Sequence, residues 1–285
     1  MKNLQRRYLS RRPDRGSILV ISIWVLVFFA ILNAGLYGII SSQIRLVRTI
    51  EERFFCVYLA ESAVVYAQAA IIKDKTAYDT LYELGQPVEK ELGAGRFSYT
   101  LTDEESKLNI NTAQPEEIAR LPGVDLQLAE AIVNSPLRPF RIKEEIFSVE
   151  GVDNELFDRL KDFITTHSKG NININTASID VLYAAGLDEG LINIIDAFRK
   201  GPDNSVATED DGKFEGSGDI VNTLSSYRAL TAEQTKLLTG LINKGSIAVE
   251  SKNFYLQLNA QFLDRQPIRY DIIVGSDKIE QWLEY

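Results

Sequence analysis

Histidine, cysteine and methionine each occur once in these 285 residues, as His167, Cys56 and Met1. A single thiol excludes an intramolecular disulfide, and one imidazole with one thiol cannot assemble a His/Cys zinc site. A Ser-His-Asp or Cys-His arrangement would have to be built on His167. Carboxylate-dependent hydrolysis is the one enzyme class that this arithmetic leaves standing, and nothing else in the pattern points to it, so the chain reads as non-enzymatic. Charge is missing too: no charged residue occurs from Gly16 to Gln43. With 45% hydrophobic and 25% charged residues overall, wholesale disorder is excluded, and the length suits one or two domains with a real core.

The charge that is present is unevenly placed. Residues 1–16 carry six basic side chains against Asp14, a net of +5, so a chain whose sum is -9 has -14 in its body. A strongly acidic body is a poor binder of polyanions. The uncharged segment Ser17–Ile40 has 24 residues, against about 20 needed for a helix to cross a bilayer and about 7–15 in a signal-peptide core. It reads as a membrane span over 17–40. The basic cluster before it predicts a cytoplasmic N-terminus and an exported body. From Ile44 to Lys73 there is no Gly or Pro. Leu46, Ile50, Phe54, Val57, Ala60 and Val64 recur at helical spacing, the face expected to pack.

A basic leader, Gly16, and an apolar helix that continues amphipathically resemble the N-terminus of type IV pilins and pseudopilins. The resemblance implies a leader over 1–16, cleavage between Gly16 and Ser17 by a prepilin peptidase, and methylation of the new N-terminus. Most pilins carry Glu at the fifth mature position, where this chain has Ile21. A carboxylate in lipid is costly without a partner. A subunit without it either does not polymerise in the usual way or sits where the usual neighbour contact is absent.

The body reads as α+β. Residues 41–106 hold the rest of the long pilin-like helix and a first strand, Arg96–Thr102, whose Phe97, Tyr99 and Leu101 alternate on one face. Strand patterns return only at Ser246–Glu250, Phe254–Leu263, Ile268–Val274 and Ile279–Tyr285. Residues 107–244 read almost wholly helical. The expectation is an antiparallel sheet packed on a long helix, split by a large all-α insertion and completed by residues 245–285.

The insertion repeats itself. Asn109-Ile110-Asn111-Thr112-Ala113 recurs as residues 173–177, and Gly-apolar-Asp tripeptides stand at 123–125, 151–153 and 186–188. The Gly closes one helix in a left-handed cap, and the Asp can N-cap the next. Thr112 and Thr176 are expected as N-caps of the helices they precede. These are helix-hairpin-helix units, a motif that often binds DNA. The DNA-binding form resembles Leu-Pro-Gly-Ile-Gly, whose second Gly offers a backbone N–H to a phosphate. Here that place is taken by Asp125, Asp153 and Asp188, which use the N–H internally and repel phosphate. Residues 107–169 hold 8 basic and 11 acidic side chains. No nucleic-acid partner is expected, and a membrane-anchored DNA receptor is kept as the alternative.

A pilin-like N-terminus without the Glu, combined with a repeated NINTA insertion, resembles the protein K family of type II secretion minor pseudopilins. Phe198–Asp203, followed by an acidic loop, belongs to the same resemblance. It implies a single-pass bacterial inner-membrane protein with a periplasmic body, incorporated at the tip of a periplasmic pseudopilus. The implied role is to assist pseudopilus assembly and export of folded periplasmic proteins across the outer membrane. The implied partners are other minor pseudopilins, the major pseudopilin, the prepilin peptidase, the inner-membrane assembly platform and membrane lipid. The Ile44–Lys73 face is the expected subunit-packing surface.

Asp203, Glu209, Asp210, Asp211, Glu215 and Asp219 crowd one Gly-rich loop. Ca²⁺ takes six to eight oxygens, so hard-cation binding is one expectation and a solvated acidic loop the other; the spacing is not that of an EF-hand. The family resemblance implies calcium without assigning ligands, and no other cofactor is expected. Cys56, among Phe54, Phe55 and Val57, reads as a buried apolar thiol. His167 reads as a helix C-terminal partner, Trp24 belongs to the span, and Trp282 is expected to anchor the last strand.

Overall fold

The computed structural model describes residues 15–275 and 278–285, with side chains from Ile18 onward. Of the expected leader, residues 1–14 lie outside the described residues. The chain divides into two compact units, one ending at Phe54 and the other spanning Phe55–Tyr285. Helix α1 (Arg15–Lys73) runs through the first and enters the second. It is long and apolar enough to cross a membrane, and none of its apolar window is buried.

In the second unit the end of α1 lays a face of small and aliphatic residues on a sheet. Cys56, Leu59, Ala60, Ala63, Val64 and Ala67 are buried there against Phe97, Tyr99, Leu256, Leu258, Tyr270 and Ile272. The face is therefore set by Ala60 and Val64 with residues between the expected ones. Leu46, Ile50 and Phe54 fall in the first unit and are exposed. Small side chains on this face let a helix approach a sheet closely enough for dense packing. Cys56 is fully buried, its Sγ 3.5 Å from the Ala260 carbonyl oxygen, as its apolar neighbours predict.

A short helix α2 (Leu81–Leu84), capped by Thr80, leads to strands β1 (Val88–Leu92) and β2 (Gly95–Asp103). Strand β1 lies in the stretch before Arg96–Thr102, a stretch where the sequence pattern predicts no strand. The insertion follows: β3 (Leu108–Asn109), α3 (Pro115–Ile118), α4 (Leu126–Val133), α5 (Asn154–Leu160), β4 (Ile164–Thr165), β5 (Ile172–Asn173), α6 (Ile179–Ala184), α7 (Glu189–Arg199), α8 (Ile220–Tyr227), α9 (Ala232–Asn243) and β6 (Ile247–Ala248). The chain then completes the sheet with β7 (Asn253–Phe262), β8 (Ile268–Gly275) and β9 (Ile279–Glu284).

The sheet has the order β1-β2-β7-β8-β9, antiparallel throughout. Strands β2 and β7 pair from Gly95↔Phe262 to Asp103↔Phe254, so the outgoing and returning ends of the insertion meet side by side. Trp282 of β9 meets Tyr270 edge to face, 5.6 Å between ring centres, as an anchor for the last strand. The alternating burial of β7 follows the two-residue period of the pleat, whereas β8 is buried without a break from Ile272 to Gly275.

The insertion has its own apolar core, from Leu108 and Ile110 through Ile174, Leu182 and Ile195 to Leu238 and Ile247. It consists of two repeats, each opened by a NINTA segment and closed by a two-residue parallel bridge: β3 with β4, and β5 with β6. Ser246–Glu250, expected as a strand of the returning sheet, instead pairs Ile247 with Ile172 inside the insertion. The second repeat needs that bridge to close, and closure overrides the strand's β propensity as a sheet member.

Candidate functional site

The hairpin turns decide what the insertion can bind. Gly123, Gly151 and Gly186 hold φ of 83°, 96° and 98°, a left-handed conformation that side-chain-bearing residues rarely adopt. Two residues on, Asp125, Asp153 and Asp188 are the N-caps of α4, α5 and α7. Their carboxylates accept from the backbone N–H of Leu128, Leu156 and Leu191 at 2.8, 2.8 and 2.9 Å. One first-turn amide of each helix is thereby occupied by a carboxylate, which places an anion at the helix N-terminus where a phosphate would approach. Thr112 and Thr176 are not N-caps. The caps are Gln114 and Ser178, two positions further on, because each NINTA segment turns before its helix begins.

The NINTA segments are clasps. In each, the first Asn closes the local turn, its Oδ1 accepting from the N–H two residues later (Asn111 at 2.8 Å, Asn175 at 3.0 Å). The second Asn reaches a distant phenylalanine through both its amide atoms. Asn111 bonds the backbone N–H and C=O of Phe140 at 2.7 and 2.8 Å. Asn175 bonds those of Phe214 at 2.9 and 3.0 Å. An arginine completes each clasp: Arg138 donates to the Ala113 carbonyl at 2.9 Å, and Arg199 to that of Ala177 at 2.5 Å. Asn is suited to this because one side chain offers both a donor and an acceptor to a strand-like backbone. The repetition of the motif was readable in the sequence; its long-range partners were not.

The junction with the sheet is acidic and buried. Asp103, Glu104 and Glu105 follow one another where β2 ends, all almost fully inaccessible. Asp103 accepts from Asn173, Thr176 and the N–H of Glu105, and Glu105 from the N–H and side chain of Asn253. Asp79 accepts from the Ser251 N–H at 2.6 Å. Burial pushes the Asp79 carboxyl up to about 7 and, with the charge of Asp103 adding, Glu105 up to about 7; Asp103 is also raised by burial. Sequence reasoning passed over these residues because an Asp-Glu-Glu run normally marks solvent.

Beside this junction lies a cleft of about 700 Å³, lined among others by Lys107, Lys143, His167, Tyr255 and Arg269. Glu104 pairs with Lys107, and Arg269 with Asp271, so the cations there are largely answered within the cleft. His167 is not at a helix end as expected. It follows β4, its N–H held by the Thr165 hydroxyl at 3.0 Å, because the chain forms the β3–β4 bridge there.

The six acids of the 203–219 loop are not brought together. Asp203 accepts from the Ser205 N–H, Asp211 from the Ala207 N–H, and Thr208 donates to both Asp210 and Asp211. Glu215 and Asp219 lie further on, Asp219 in a single 3-10 turn (Ser217–Asp219). Among the described residues, no group of three or more His, Cys, Asp or Glu side chains is set to hold a metal ion. A cation bound here would have to draw carboxylates out of these turns. At the other end, Gly16, Ser17 and Ile21 all lie in α1, and Ile21 is 59% exposed.

Residues 103–165 match the helix-hairpin-helix motif family. A curated relative, the endonuclease/exonuclease/phosphatase family domain-containing protein 1 of Xenopus laevis, is 31% identical over 152 residues, 44% of this chain and 27% of that protein. The chain thus spans about a quarter of the relative's length. Among solved structures, a chain of the GspK-GspI-GspJ complex from the enterotoxigenic Escherichia coli Type 2 Secretion System matches with a TM-score of 0.58 and 18% identity. The match covers 84% of this chain and 99% of that one. This is the GspK pseudopilin fold. Within it, the motif match covers the first of the two repeats, although the second reproduces the same clasp, cap and bridge.

Proposed function

We propose that this chain is a minor pseudopilin of type II secretion that sits at the pseudopilus tip, assists pseudopilus assembly and so supports export of folded proteins. The reading rests on one conjunction: a pseudopilin fold whose apolar helix carries Ile21 where pilins carry Glu. In this reading the chain is cut between Gly16 and Ser17, methylated, and anchored in the inner membrane with its body in the periplasm. Other minor pseudopilins are its tip partners, and the major pseudopilin continues the filament below. The protein of the matched structure was crystallised as a complex of that kind. A subunit without the Glu gains nothing from a neighbour's amino group, which suits an end position. The helix-hairpin-helix match favours a second reading, a membrane-anchored DNA receptor, but three capped and acid-fronted turns weigh against it.

The test is the intact mass of the membrane-extracted protein from cells containing the prepilin peptidase. The expected product starts at Ser17 and carries one added methyl group. An uncut N-terminus sinks the pseudopilin reading and returns the DNA receptor to first place.

A further inference from the structure

The point where the insertion leaves and rejoins the sheet concentrates negative charge without cations. Asp103 and Glu105 are each 1% exposed. Among the described residues, no ion pair joins Asp79, Asp103 or Glu105 to a cation; the nearby Lys107 is taken by Glu104, with its ammonium also 5.5 Å from the Tyr255 ring centre. The hydrogen-bond donors that face the three carboxylates are neutral. The second repeat contributes Asn173 and Thr176, and the returning segment Ser251, Asn253 and the backbone N–H of Lys252. From the connection after α1 and from α2, Asp74 and Glu83 add further negative charge around Asp79.

The three groups are wired to one another. Ser251 bonds Asp79 through its N–H and Asp103 through its side chain. The Glu105 N–H bonds Asp103 at 2.6 Å. Asn173 spans Asp103 at 2.9 Å and Ser251 at 3.0 Å. Outgoing segment, second repeat and returning segment are therefore held together through these carboxylates.

We propose that Asp79, Asp103 and Glu105 form a proton-operated clasp fastening the helical insertion to the sheet, closed when the cluster has taken up protons and loosened when it releases them. The donated hydrogen bonds favour ionised carboxylates, but burial and the neighbouring acids oppose ionisation more strongly, so the closed cluster holds protons. Full ionisation places like charges together in low dielectric, and the relief is separation with entry of water. The folded-state values lie above the ordinary carboxylate range, so the closed junction binds more protons than the opened one. Its stabilisation is complete below about 4 and is lost as pH rises to about 7. Each group that gives up a proton on opening raises the opening constant by up to about tenfold per pH unit in that window. The device is independent of the role proposed above.

The test is hydrogen exchange by mass spectrometry on the full chain in detergent micelles, at pH 5 to 8 and corrected for intrinsic exchange chemistry. Peptides covering 102–107, 172–177 and 247–254 are expected to lose protection as pH rises toward 7 and to level off above it. A control peptide in α7 should stay flat. Glu105→Gln and, separately, Asp79→Asn should flatten the junction profile. Equal pH dependence at junction and control, or an undiminished profile in both variants, overturns the clasp. Should one variant lose protection everywhere, the wild-type profile and the other variant still decide.

Discussion

Asn175→Ala removes the clasp of the second repeat, and its cost can be worked from the structure. Asn175 is 5% exposed, and Phe214, whose N–H and C=O it bonds at 2.9 and 3.0 Å, is 1% exposed. Truncation leaves a buried donor and a buried acceptor without partners, each costing about 1–3 kcal/mol. About 4 kcal/mol is expected in total, among the larger effects of a single substitution. Asn111 makes the same pair of bonds to Phe140 but is only half-buried, so water can replace what is lost. Asn111→Ala should cost about 1.5 kcal/mol by the same reasoning. At about 3 °C per kcal/mol for a body of this size, Tm should fall by about 12 °C in the first variant and about 4 °C in the second. Thermal unfolding of the full chain in micelles, followed by near-ultraviolet circular dichroism, reads both. Equal losses, or a cost below about 1 kcal/mol for Asn175→Ala, would refute the argument that burial separates the two clasps.

Any calcium taken up by the 203–219 loop should bind weakly, since Asp203, Asp210 and Asp211 are engaged in their own turns. The expected signature is a rise in Tm only at about 0.1–1 mM Ca²⁺, abolished by Asp210→Asn with Asp211→Asn; a Tm indifferent to both calcium and chelator removes the cation from the loop. Duplex DNA in a fluorescence-anisotropy titration at 50 mM salt should show no binding below about 10 μM. Asp153→Gly should not bring affinity into the nanomolar range, since the surroundings of residues 107–169 stay acidic. Micromolar, salt-sensitive binding by the wild type would revive the nucleic-acid reading.

Much of the architecture was legible because it is written in local patterns. An uncharged 24-residue run, a two-residue alternation over 254–263 and Gly-apolar-Asp at three places each report on a few neighbouring residues, and the structure has α1, β7 and three capped hairpins there. In two further places a tertiary partner outweighs a local preference, as it does at His167. Ser246–Glu250 has strand-forming residues, but its bridge to Ile172 closes the insertion rather than extending the sheet. Thr176 is a good N-cap by type, yet its hydroxyl serves Asp103 and the cap passes to Ser178. The β1–β2 hairpin escaped notice because Val88–Leu92 is short, exposed and charged, the composition that protects a sheet edge.

By itself the sequence determined the apolar helix, the missing acid at Ile21, the doubled NINTA unit and the acidic residue at each hairpin turn, and these suffice to mark a pilin-like chain with acid-fronted hairpins. The tertiary structure alone decided that each second Asn clasps a backbone 29 or 39 residues away, and that the half-buried Asp79 joins the buried Asp103 and Glu105 at one junction. The division has a physical cause. Periodicity and capping are set within one or two turns of chain, whereas the burial that makes a hydrogen bond costly to lose, or a carboxylate reluctant to ionise, exists only after distant segments have closed over it.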